Sequence, residues 1–225
     1  MGIGGGGGTT TNPPTVSVPA GQSSSEGSAN TNAAPPAKPQ PGVGDIILFG
    51  NYNWRVLEVR DGKALIITED IMTGRAYNEA NEDVTWETCT LRTYLNGEFY
   101  DSFVPVDRKR IVDTEVRTPS NPWYETDGGK VVTDKIFLLS IEEVLKYFGN
   151  SKLGKEEYFW FSDENDEKRK ANFENDYHWW WLRSPGILPI DAVCVLIGGY
   201  VGLGGIFVSE SSGGVRPALW IDLGP

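Results

Sequence analysis

The chain has 225 residues and sets 20 Lys plus Arg against 31 Asp plus Glu, a formal charge of −11 at pH 7. That balance argues against nucleic acid or an anionic membrane surface as the main partner, because phosphate binding needs basic clusters. Two widely separated cysteines, Cys89 and Cys194, and one histidine, His178, leave no zinc site of the Cys/His kind, no expected metal or other cofactor, and no expected disulfide.

Residues 1–42 are mostly Gly, Thr, Ser, Pro, Ala and Asn, with only Glu26 and Lys38 charged. Such a segment has too little apolar surface to offset its ordering entropy, so it is predicted to be a disordered tail or linker. As a coil it spans about 35–40 Å and reads as a tether. No basic n-region with an apolar run marks a signal peptide, and no segment reads as transmembrane. Attachment at a cell surface would need an anchor not visible in this chain, and the compartment stays open. Gly6 stands where a myristoylation motif wants Ser or Thr.

Residues 43–225 read as one domain, large enough to bury roughly 70% of its unfolded surface without a staple. Asp45–Phe49 and Trp54–Val59 are predicted strands, and Asp61-Gly62 is a hairpin turn into Ala64–Ile67. Residues 71–83 read as a loop. Thr85 is the predicted cap of a helix over Trp86–Asn96, with Gly97 as its stop. A helical turn over 106–110, a strand over 111–116 and a turn cluster at Thr118–Pro122 follow. Ile136–Leu139 reads as a buried strand. Ser140 and Glu143 then form a capping box for a helix over Ile141–Phe148, whose apolar residues keep i, i+3, i+4, i+7 spacing up to Gly149. Residues 150–176 are polar apart from Tyr158–Phe161, and short strands with glycine turns complete the chain. Two main helices, short antiparallel strands and long loops make the fold class α+β.

Near the C-terminus, Trp179–Gly186 and Gly214–Trp220 bracket a run, Ile187–Phe207, that is almost all apolar or glycine. Asp191 is its only charge, and it holds no Lys, Glu, Gln, Met or Trp. Two readings of the residues stay open: a core hairpin buried on both faces, or an exposed apolar face that is an interaction patch or an aggregation hazard. The run has the length of a bilayer span, about 20 residues, but Pro189, Asp191 and the glycines argue against membrane insertion. If Val193 and Val195 point inward, strand alternation sends Cys194 and Leu196 outward. Among Trp179–Trp181 the same alternation makes at least one ring core. Arg183 and Arg216 read as framework forks for loop carbonyls or a carboxylate. Asp163–Glu167 offers oxygen ligands but lacks the glycine of a calcium loop. His178 has no evident Ser or Cys partner, and no phosphate loop or metalloprotease motif appears, so no enzymatic activity is expected.

Gly44-Asp45-Ile46-Ile47, Trp54-Arg55-Val56-Leu57, Thr85-Trp86-Glu87 with Leu91-Arg92, Phe137–Ser140 and the two brackets together resemble a bacterial domain family of unknown function. That family is similar to C-type-lectin-like proteins of the formylglycine-generating-enzyme type. The resemblance spans Val43–Leu223 and implies a C-type-lectin-like domain. It also implies that the bracketed run is the variable region of a diversity-generating retroelement, in which template adenines are rewritten. Changes at the first two bases of an AAY codon never yield Lys, Glu, Gln, Met or Trp, the five residues the run lacks. Carried over by position, Ala192, Val193, Val195, Gly199, Val201, Gly205 and Val208 are framework. The diversified slots hold the expected ligand-binding residues Ile187, Leu188, Ile190, Asp191, Cys194, Leu196, Ile197, Tyr200, Leu203, Ile206 and Phe207, together with Pro189, Gly198, Gly202 and Gly204. Tyr200 and Phe207 are the expected anchors. The implied partner is an unidentified protein or cell-surface ligand. The enzyme's cysteine pair does not carry over, because Cys89 is placed on a helix and Cys194 in a slot. The alternative is a carbohydrate-binding or carbohydrate-processing domain using the acidic loop or the Tyr177–Trp181 aromatics.

Overall fold

The computed structural model describes residues 40–149 and 159–224, together with 1, 2, 7, 8 and 152. Most of the expected tail, and Tyr158, lie outside the described residues. The chain divides into Met1–Ala37 and Lys38–Pro225, and the architecture below is that of the second unit.

Asp61 and Gly62 take positive φ angles of 51° and 69°. Two left-handed residues in a row match the twist of the strands they join, and they turn β2 (Tyr52–Arg60) back onto β3 (Lys63–Thr68) with Arg60 opposite Lys63. β1 (Ile46–Phe49) pairs with β2 and β13 (Ala218–Asp222) with β3, giving an antiparallel sheet in the order β1-β2-β3-β13. The first and last strands of the unit therefore share one sheet.

A second sheet runs β11 (Val201–Phe207), β10 (Asp191–Val195), β9 (Trp180–Pro185), β12 (Gly214–Val215) and β4 (Thr73–Gly74), antiparallel except where β12 meets β9. Two hairpins stand apart, β5 (Thr114–Val116) with β6 (Val132–Asp134), and β7 (Ala171–Phe173) with β8 (Asp176–His178). The protein is thus α+β, with short, mostly antiparallel strands. Ile136–Leu139 is buried, as its composition implies, but makes only the single bridge Phe137–Ala218 instead of a strand.

The helix α4 (Ile141–Tyr147) forms where its capping box predicts: Ser140 Oγ accepts from Glu143 N, and Glu143 Oε2 accepts from Ser140 N at 2.9 Å. Ile141, Val144 and Leu145 are its buried face.

The other long helix departs from its prediction at both ends. Thr85 O accepts from Thr88 N and Cys89 N in a turn, and the Trp86 indole is held by Asp134 Oδ2 at 2.8 Å. The helix starts only after Cys89, whose Sγ caps Arg92 N. It runs through α1 (Thr90–Tyr94), a π-helical segment (Leu95–Phe99) and α2 (Tyr100–Ser102). Gly97 does not stop it, because the buried stripe Leu91, Leu95, Phe99, Phe103 continues at four-residue intervals. Phe99 and Phe103 pack on each other and on Tyr52, which outweighs the cost of about 1 kcal/mol for one helical glycine. Two short helical turns, α3 (Pro105–Arg108) and α5 (Asp166–Arg169), complete the fold; α5 begins within the acidic stretch Asp163–Glu167.

Candidate functional site

The two brackets are scaffold. Trp180 and Trp181 are both fully buried, their indoles donating to Arg169 O at 3.0 Å and Arg75 O at 2.8 Å. Only Trp179 is partly exposed, set edge-on against Trp181 at 4.7 Å. Arg183 donates to Leu138 O, Arg117 O and both carboxylate oxygens of Glu143. Arg216 donates to Thr68 O at 2.8 Å and Glu69 O at 2.9 Å. Each arginine therefore locks distant loops, as the fork geometry implies.

Between the brackets, the central strand β10 is buried on both faces: Ala192, Val193, Cys194 and Val195 are each 1% exposed or less. Its neighbours both bulge opposite Val193. While β10 advances from Ala192 to Cys194, the facing residues run from Ile206 to Gly202 on β11 and from Pro185 to Trp181 on β9. Extra residues in a neighbouring strand break simple face alternation. This corrects two expected ligand-binding positions. Cys194 points into the core, with its Sγ 3.3 Å from where a Gly202 Cβ would stand, and Leu203 is fully buried. Burial pushes the Cys194 thiol up to about 12. Cys89 is also free, buried and pushed up to about 12.

The remaining expected positions reach solvent to different degrees. Leu188, Ile197, Tyr200 and Phe207 are exposed, at 51%, 54%, 42% and 57%. Ile187, Ile190, Asp191, Leu196 and Ile206 are half-buried. The exposed four do not form one face. Leu188 lies in the β9–β10 loop, at the end of the hairpin where Asp191 pairs with Phe207. Ile197 and Tyr200 occupy the β10–β11 turn at the other end, where Leu196 N donates to Tyr200 O at 2.8 Å. Asp191 structures its own loop: its Oδ2 accepts from Leu188 N at 3.3 Å, and burial raises the carboxyl's pKa.

Packing leaves little room for side-chain change at the expected framework positions. Val201 and Val208 are fully buried, like Val193 and Val195. Gly199 and Gly205 have φ of +89° and +83°, and a Cβ on Gly199 would stand 2.0 Å from Asp166 O. Arg169 donates to Gly199 O at 2.8 Å and pairs with Asp163 and Asp166. The acidic stretch is thus organised around Arg169.

Three residues that sequence reasoning missed hold the site. Asn121, 1% exposed, donates through one amide nitrogen to Pro185 O at 2.9 Å and Leu203 O at 3.0 Å, tying β9 to β11 across the bulges. Thr126 Oγ1 donates to Ile187 O at 2.8 Å. Phe159, 60% exposed, lies along the outer edge of β11, accepting from Gly204 N, with its ring beside Ile187 over Gly204. The Thr118–Pro122 turn cluster was legible, but nothing local marks Asn121 as a long-range clasp.

Among the described residues, no group of three or more His, Cys, Asp or Glu is placed to hold a metal, and no helix is long and apolar enough to cross a membrane. A family model described as "Domain of unknown function (DUF6273)" matches residues 61–223, and the chain belongs to that family. No curated protein and no solved structure matches it.

Proposed function

We propose that this DUF6273 protein is a binding module: a C-type-lectin-like scaffold whose Ile187–Phe207 hairpin displays a retroelement-diversified surface to a protein partner. One observation carries the reading. Within Ile187–Val208 the exposed large side chains Leu188, Ile197, Tyr200 and Phe207 all fall in the slots, while framework valines and Ala192 are all buried. Exposed apolar residues also occur elsewhere, at Leu48 and Val106 for example, so what supports the reading is that within this run they fall in the slots and not at the framework positions. Binding energy would come from these rigidly mounted apolar and aromatic groups, which lose little conformational entropy on docking. The carbohydrate alternative leans on the Tyr177–Trp181 aromatics, and two of those tryptophans are core.

Sequencing the DNA that flanks the gene tests the proposal. The expected result is a near-copy of the codons for Ile187–Phe207, differing only at adenines and lying beside a reverse-transcriptase gene. A locus without such a copy, and codons identical across independent isolates, would sink it.

A further inference from the structure

A second site lies away from the hairpin's exposed ends. A cavity of about 410 Å³, within the usual range for small-molecule sites, opens between β2, the end of α4, α5 and the β7–β8 hairpin. Its wall carries four cationic side chains against two carboxylates, in a protein whose net charge is −11. Two of those cations are already neutralised: Arg55 by Glu69, and Lys170 by Glu167. Among the described residues, the other two have no carboxylate within ion-pairing distance. Lys168 is held only by Asn165 Oδ1, at 2.9 Å. Arg216 is 2% exposed, has only backbone carbonyls as acceptors on Nε and Nη2, and leaves Nη1 without any. The rings of Trp180 and Phe148 lie 5.0 and 5.3 Å from its guanidinium carbon.

We infer that this cavity binds a small organic oxyanion, its carboxylate or phosphate head at Lys168 in the field of the buried Arg216 guanidinium and its apolar body against Tyr177. A buried guanidinium with no carboxylate paired to it is costly, because desolvation removes the water that would stabilise its charge. An oxyanion at Lys168 adds a countercharge to that field, beyond what the Glu69 and Asp70 carboxylates supply to Arg216. Burial has drawn the Arg216 pKa down to about 10, so it remains protonated at neutral pH while lacking the solvation that an anion would replace. The Tyr177 ring, 52% exposed at the mouth, gives an aromatic or aliphatic body something to cover.

The test uses the full chain, titrated separately with inorganic phosphate and with phenyl phosphate, while following tryptophan emission and Tm. Trp180, against Arg216, is the reporter. The expected result is saturable binding of phenyl phosphate with Kd below about 1 mM, and weaker binding of inorganic phosphate. Lys168→Gln should raise both Kd values about threefold or more, the size of one exposed charge contact, while Lys109→Gln, outside the cavity, leaves them unchanged. Tyr177→Ala should weaken phenyl phosphate and spare inorganic phosphate. Lys168→Gln keeps every Arg216 contact, so misfolding does not confuse the result. No saturation up to about 20 mM of either anion, or equal effects of Lys168→Gln and Lys109→Gln, would overturn the inference.

Discussion

Asn121 is the residue on which the hairpin's geometry turns. One amide nitrogen serves two carbonyls on β9 and β11, while its Oδ1 accepts from Trp123 N at 3.0 Å. Asn121→Ala takes the side-chain partner from two buried carbonyls and two turn amides, those of Trp123 and Tyr124, at roughly 1 kcal/mol each for the buried groups. Urea denaturation should therefore show a loss of at least about 2 kcal/mol. Asn121→Asp should fare no better, because it turns an acceptor toward those carbonyls. The cysteines make a different residue-scale test. Their thiol pKa values are raised in the folded state, so the stability linked to them is fully present below the unfolded thiol's value, near 9, and is lost as pH rises toward 12. A thiol reagent at pH 8 should label neither Cys89 nor Cys194 until denaturant is added. Rapid labelling of the native protein at Cys194 would place it outside the core.

At the scale of elements, what was legible in the sequence was local. The Asp61-Gly62 turn and the Ser140/Glu143 box each depend on residues within a few positions of one another, and both formed as expected. The helix start was misjudged because Trp86 answers to Asp134, 48 residues away. The faces of β10 were misjudged because alternation assumes an even ladder, and the bulges are held by contacts from Asn121, 64 and 82 residues distant. No window of sequence contains that information. The link between α4 and β9 shows how capping and tertiary pairing share one side chain. Glu143 closes the capping box and also receives Arg183, whose side chain is 3% exposed. Glu143→Ala removes the cap and strands a buried cation, so a loss of about 3–5 kcal/mol is expected by denaturation. A loss below about 1 kcal/mol would mean that the Arg183 pair is immaterial.

For the whole molecule, the core that excludes the exposed apolar ends of the hairpin reaches across both sheets. The core takes in Trp180, Trp181 and Trp220 of the brackets, the valines of β10 and β11, and buried residues of the β2, β3 and β13 strands of the opposite sheet. Exposed Leu188, Ile197, Tyr200 and Phe207 lie outside it. The net charge of −11 helps keep such apolar ends from associating. Changing all four to Ser should leave Tm within a few degrees, since substitutions away from core contacts move stability by about 0.5 kcal/mol or less each, and should lower binding of an apolar dye. The most direct measurement is a saturation library over residues 187–208, sorted by resistance to protease. Leu188, Ile197, Tyr200 and Phe207 should accept polar replacements freely, while Val193, Cys194, Val195, Val201, Leu203 and Val208 should accept almost none. Equal intolerance in both groups would mean that the run is ordinary core and that no display surface separates from it.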